Sequence, residues 1–200
     1  MKVHIYVEGG GRGAPDKECR AGFRALLENA KLNGRMLQIV PGGSRAETFK
    51  DFQNAMAEAG RSYYPVLLVD SETAVTTDPW THLKNRKDDQ WKRPRGTAED
   101  QAQLMVQCME TWIVADRGTL RRVFGQGFRE NALPAMNDLE NKSKDDVQNG
   151  LERATEGCKG PYKKGKRSFR VVAELDAGVL KDQLPHFERL HEMLNRRLAE

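Results

Sequence analysis

Three cysteines, Cys19, Cys108 and Cys158, are scattered along the 200 residues with no C-x-x-C among them. An odd number at such spacing supplies neither a disulfide framework nor a zinc knuckle. The four histidines, His4, His82, His186 and His191, fall at no ligand spacing either. No apolar run approaches the roughly 20 residues of a membrane span. The N-terminus lacks the basic and then apolar pattern of a secretion signal, so a cytoplasmic location and no membrane partner are expected. There is no G-x-S-x-G, and no histidine falls at an expected strand end, so a serine or cysteine nucleophile is hard to build. Internal repeats and low-complexity tracts are missing, as is any linker that would cut the chain into independent domains.

What remains is a charged, well-cored protein. Hydrophobic residues make up 38% and charged residues 31%, the balance of a globular chain and not of a disordered one. The net charge is +4 with a pI near 9.0, and it is concentrated. Residues 84–95 hold six basic side chains (Lys84, Arg86, Lys87, Lys92, Arg93, Arg95) against Asp88 and Asp89, with Trp91 among them. Residues 159–170 hold six more (Lys159, Lys163, Lys164, Lys166, Arg167, Arg170) and no acid, with Tyr162 and Phe169 interleaved. Such segments suit a phosphate-rich partner, DNA or RNA, with the aromatics available to stack on bases. The competing reading is a set of solvated loops.

The first half alternates short β-branched runs with helical periodicity. Val3–Val7 reads as a buried strand, followed by a helix capped by Asp16 after Pro15 and stopped at Asn33-Gly34. Met36–Val40 is a second strand, broken by Pro41-Gly42-Gly43. Ser44 and Glu47 have capping-box spacing for a helix with Phe49, Phe52 and Met56 on one face. A third strand ends at Asp70, a fourth lies around Leu104 to Gln107, and a helix starts near Met109. This order predicts an α/β fold: a mostly parallel, Rossmann-like sheet flanked by helices. Residues 1–115 form its core, and 116–200 form a mainly helical extension packed on it as one structural unit.

Two apolar strands run straight into carboxylate, Val7 into Glu8 and Val69 into Asp70 and Glu72. Ligands of parallel α/β sheets bind beyond the carboxyl ends of the strands, where these acids lie. If the first and third strands are neighbours, the three carboxylates converge. Crowded carboxylates repel, and a hard divalent cation removes the conflict. Mg²⁺ or Mn²⁺ bound there suits phosphodiester chemistry. Glu110, at the start of a helix after the fourth strand, is a further candidate ligand, or else serves the helix dipole. Gly9 to Ala14 fits G-x-G-x-x-A, but Glu8 would repel a pyrophosphate and the second strand ends without a ribose-binding acid. Gly9, Gly10 and Gly11 are better read as a tight turn leaving room for metal and phosphate.

"VEGGG" after the first strand and "VDSE" after the third resemble the TOPRIM signature of topoisomerases, primases and several nucleases. More closely, "YVEGGG", "LLVDSE", "VQCMETWIVAD", "FGQGF" and "YKKGKRSF" resemble the bacterial TOPRIM-like family described as domain of unknown function 4276. The resemblance implies a TOPRIM-like fold and Mg²⁺- or Mn²⁺-dependent cleavage of DNA or RNA. Glu8 would be a general acid/base or metal ligand, and Asp70 and Glu72 metal ligands. Lys164 would hold the scissile phosphate. It also implies a setting in bacterial defence, and a separate reading is an interaction subunit whose helical second half docks a partner ATPase or nuclease subunit. The alternative it leaves open is a sensor that binds metal and nucleotide without turnover. Two departures stand out: Glu72 replaces the commoner aspartate, and Ala74 stands where a third acid would follow.

Overall fold

A computed structural model describes residues 2–11, 14–32, 37–60 and 62–199. The expected stop at Asn33-Gly34, the strand start at Met36 and the Arg12-Gly13 part of the glycine loop lie outside them. Four parallel strands, β1 (Val3–Val7), β2 (Leu37–Pro41), β3 (Tyr64–Asp70) and β4 (Ala102–Met105), form one sheet in the order β2-β1-β3-β4. Helix α1 (Ala14–Asn29) links β1 to β2, and α2 (Arg45–Glu58) links β2 to β3. Then come α3 (Pro79–Asn85) before β4, and α4 (Met109–Ala115) and α5 (Arg117–Phe124) after it. Helices α6 (Lys144–Thr155), α7 (Lys166–Ala173), α8 (Ala177–Gln183) and α9 (Pro185–Ala199) complete the chain. The fourth strand sits two residues earlier than expected, and α1 begins before Asp16. The Ser44/Glu47 capping box of α2 is formed.

Alternating side chains send each strand's apolar residues to opposite faces. Val3, Ile5, Val7, Val66 and Leu68 pack with Phe23 and Leu26 of α1 and with the helices after β4, including Trp112, Leu151 and Phe187. Tyr6, Leu67, Val69 and Leu104 pack with Phe49 and Phe52 of α2 and with Trp80 and Leu83 of α3. The first of these cores runs from Val3 to Leu194, so the helical second half shares it with the sheet. Cys19, Trp80 and Trp112 are all buried packing residues.

Helix α7 lies hard against α1. A Cβ on Gly22 would collide with the Phe169 carbonyl oxygen, which neither backbone can yield cheaply. Gly22→Ala therefore forces the two helices apart. We expect a loss of about 1–3 kcal/mol, the range for over-packing a tight contact, measured by urea denaturation.

Candidate metal centre

The strand order reverses between β1 and β3, and this switch point is where the acids meet. Val7 pairs with Leu68, and the Glu8 amide donates to the Leu68 carbonyl at 2.9 Å. Glu8 is thus set beside the end of β3, and its Oε2 accepts from the Asp70 amide at 3.2 Å. Two residues on, Glu72 adopts a left-handed backbone with φ +66°. That conformation costs a non-glycine residue roughly 1–2 kcal/mol. It is held by the Glu72 amide donating to the Gln107 carbonyl at 2.8 Å, while the Ser71 carbonyl accepts from His82 Nε2 at 2.9 Å. The outcome is that carboxylate oxygens of Glu8, Asp70 and Glu72 lie within 4.8 Å of one another.

Two cations that sequence reasoning missed hold these acids. Arg45 donates to Glu8 Oε2 at 3.0 Å, to the Asp70 carbonyl, and to both oxygens of Asp89 at 2.8 and 2.7 Å. It also lies 4.8 Å over the Trp91 ring, which stacks on Phe49 at 4.1 Å. Lys144 donates to both Glu72 oxygens at 2.7 Å and stands 3.8 Å from Asp70 Oδ2. Each is the first residue of its helix, following a serine cap, Ser44 or Ser143. A single basic residue after a serine carries no sequence signal that it will face an acid 37 or 72 positions away.

The Asp70 carboxyl is buried and accepts from the Met109 amide at 2.8 Å. Burial, reinforced by the charges of Glu8 and Glu110 and opposed by Lys144, pushes it well above the ordinary carboxylate range. Burial also raises Glu8, although Arg45 and the Asp70 amide pull the other way. Glu110 behaves oppositely. Burial would raise it, but nearby Lys164 and hydrogen bonds from Tyr162 at 2.7 Å and Gln148 at 3.3 Å outweigh that and hold it low. Glu110 is not one of the three acids whose oxygens close on each other.

A cavity of about 250 Å³ opens beside the cluster, lined by Glu8, Asp70, Glu110, Lys164, Gly9 and Gly10 among others. Gly9 has φ +119°, and a Cβ there would sit 3.0 Å from Phe169, so glycine is required where α7 closes over the cavity. It also exchanges backbone hydrogen bonds with Gly43 at 3.0 Å. Gly11 does not line this cavity; it lies at the edge of another, with Asp16 and Glu47. Lys164 lies at the mouth, with its side chain exposed.

The aromatic residues of the basic segments are not the base platforms expected from their interleaving. Tyr162 and Phe169 are buried, the first bonded to Glu110 and the second packed against Phe23. Trp91 gives one face to Phe49. Apolar ring area is worth more inside the core than at a loop surface. The basic segments are partly structural too, since Arg86 binds Asp89 at 2.6 Å and Arg170 binds Glu18 at 2.8 Å. Lys84, Lys87, Lys92, Arg95, Lys159, Lys163 and Lys166 are exposed.

Fold and cluster together define a parallel α/β protein with a carboxylate triad at the switch point of its sheet. The chain belongs to the family described as Domain of unknown function (DUF4276), which it matches over residues 8–195. No curated protein and no solved structure matches it. No helix among the described residues is long and apolar enough to cross a membrane.

Proposed function

We propose that the protein is a TOPRIM-like, divalent-metal-dependent nuclease acting on DNA or RNA. The observation that carries this reading is the approach of Glu8, Asp70 and Glu72 oxygens to within 4.8 Å at the sheet's switch point. The donor set fits Mg²⁺ or Mn²⁺, because it consists of carboxylate oxygens alone, which hard cations prefer. It also carries a defect that such an ion cures: Asp70 is held above its ordinary range by burial and by its acidic neighbours. Glu8, Asp70 and Glu72 would hold the ion. When bound, it supplies Lewis acidity toward a phosphodiester and an activated water.

The chain's own residues do the rest. Lys164, at the mouth of the cavity that Glu8 and Asp70 line, places an ammonium where a substrate phosphate enters. The exposed lysines of residues 84–95 and 159–170 attract the backbone without reading sequence. Phe169 of α7 gives the cavity one apolar wall beside the acids.

The test is incubation of purified protein with plasmid DNA and with single-stranded RNA, in Mg²⁺, Mn²⁺ or excess chelator. We expect cleavage with metal, none with chelator, and a steep fall in rate as salt rises. Intact nucleic acid under every metal condition, with metal binding intact, overturns the nuclease reading.

One observation favours a second reading, a sensor or partner subunit without turnover. Glu8 and Glu72 are each already ion-paired within the protein, to Arg45 and Lys144. Calorimetric titration with a nucleotide, with and without Mg²⁺, separates the two: tight binding and no product supports the sensor.

A further inference from the structure

Lys144 is a lysine where a helix disfavours one. It opens α6, immediately after the cap Ser143, where exposed backbone amides and the helix dipole favour negative charge. The next two residues, Asp145 and Asp146, follow that preference; Lys144 does not. Nor does it serve as a solvated surface charge. Its side chain is about three-quarters buried, and its ion pairs are with Glu72, at 2.7 Å to both oxygens, and with Asp70 at 3.8 Å. Helix stability and solubility therefore leave its position unexplained, and the charge of the cluster accounts for it.

The two cations of the cluster are held differently. Arg45 is fixed chiefly by bonds that no ligand would disturb: two to Asp89, one to the Asp70 carbonyl, and the Trp91 face. Lys144, by contrast, binds the same carboxylates that would hold an ion, and it occupies both oxygens of Glu72. A divalent ion and this ammonium compete for them and, so close together, repel each other.

We propose that Lys144 is the site's resident counter-cation: it balances Glu72 and Asp70 in the metal-free protein and is displaced when a divalent ion binds. The inference rests on the metal-dependent reading given above. Two consequences follow. The ion must compete with the protein's own ammonium, so metal affinity is set below what three carboxylates would otherwise give. The displaced ammonium, on a flexible four-carbon stem, is then free to meet an anionic phosphate next to the ion.

The test is calorimetric titration of Mn²⁺ into the wild-type protein, Lys144→Met and Lys144→Arg. Lys144→Met removes the charge but keeps the length, and we expect it to bind Mn²⁺ at least tenfold more tightly. Its metal-free melting temperature should fall and be restored by Mn²⁺. Lys144→Arg should stay within about threefold of wild type, because it keeps the competing charge. A folded Lys144→Met that binds Mn²⁺ no more tightly than wild type overturns the inference but leaves the metal site standing. If neither protein binds Mn²⁺, the inference and the metal reading fall together. A measurement on the wild-type protein applies even if Lys144→Met does not fold. Labelling by an amine-reactive reagent, read by mass spectrometry, should rise severalfold at Lys144 when Mn²⁺ is added and stay constant at the exposed Lys87. Unchanged or reduced labelling of Lys144 overturns the proposal.

Discussion

We expect Asp70→Asn to lose the metal-dependent cleavage proposed above while leaving the fold at least as stable as before. The side-chain oxygen of asparagine still accepts from the Met109 amide, now 2.8 Å from Asp70, so the start of α4 stays anchored. What disappears is a negative charge in the most enclosed position of the cluster. On the nuclease reading, activity drops by about 10²–10³-fold, the scale for losing one preorganised electrostatic group. Stability moves the other way, and its pH dependence shows why. In the folded chain Asp70 keeps its proton above the ordinary value of 3.8, so as pH rises the unfolded chain ionises first. The folded state then binds more protons than the unfolded one, and stability falls between 3.8 and the raised folded value. Asparagine has no proton to lose, so the variant's profile is flatter across that window. Added Mg²⁺ should reverse the wild-type decline and leave the variant unchanged. Urea denaturation across the acid-to-neutral range, with and without Mg²⁺, reads all of this. A variant that cleaves like wild type, or whose stability falls with pH as steeply, contradicts the assignment.

The second large effect lies at Arg45. Arg45→Met keeps an unbranched apolar stem but removes the guanidinium that lies over Trp91 and joins Glu8, the Asp70 carbonyl and Asp89. The Asp89 side chain is only 4% exposed, and it would be left with Arg86 as its ion-pair partner. Removing one member of a buried ionic network costs about 3–5 kcal/mol, because the stranded charge is desolvated without compensation. For a chain of this size that is a drop in melting temperature of roughly 10 °C. The double variant Arg45→Met/Asp89→Asn should recover part of the loss, since it removes the stranded charge as well. A single variant within about 1 kcal/mol of wild type would show that the network contributes little to stability.

The sheet was readable because its strands are short apolar runs punctuated by glycine and proline, as at Pro41-Gly42-Gly43. Glu8, Asp70 and Glu72 were readable by position, since each ends a strand or follows one closely. The cations around them were not. Arg45 and Lys144 look like ordinary polar residues of a first helical turn, and only tertiary packing brings those turns to the sheet. Tyr162 misled for a related reason. An aromatic among lysines reads equally as a base platform or as a core residue, and burial beside Glu110 decides between them. The offset of β4 reflects a boundary that apolar composition alone leaves loose, because Val106 continues the buried run after the ladder has ended.

The close seating of α7 on α1 bears on when the pocket comes into being. During synthesis Glu8, Asp70 and Glu72 leave the ribosome well ahead of Lys144, Tyr162 and Phe169, which supply the opposing charge, the phenol and the lid. A nascent chain halted after β4 has Arg45 beside Glu8 but lacks Lys144 and has nothing to shut the cleft. The closed pocket therefore arrives late in translation, when the last third of the polypeptide folds back over the first.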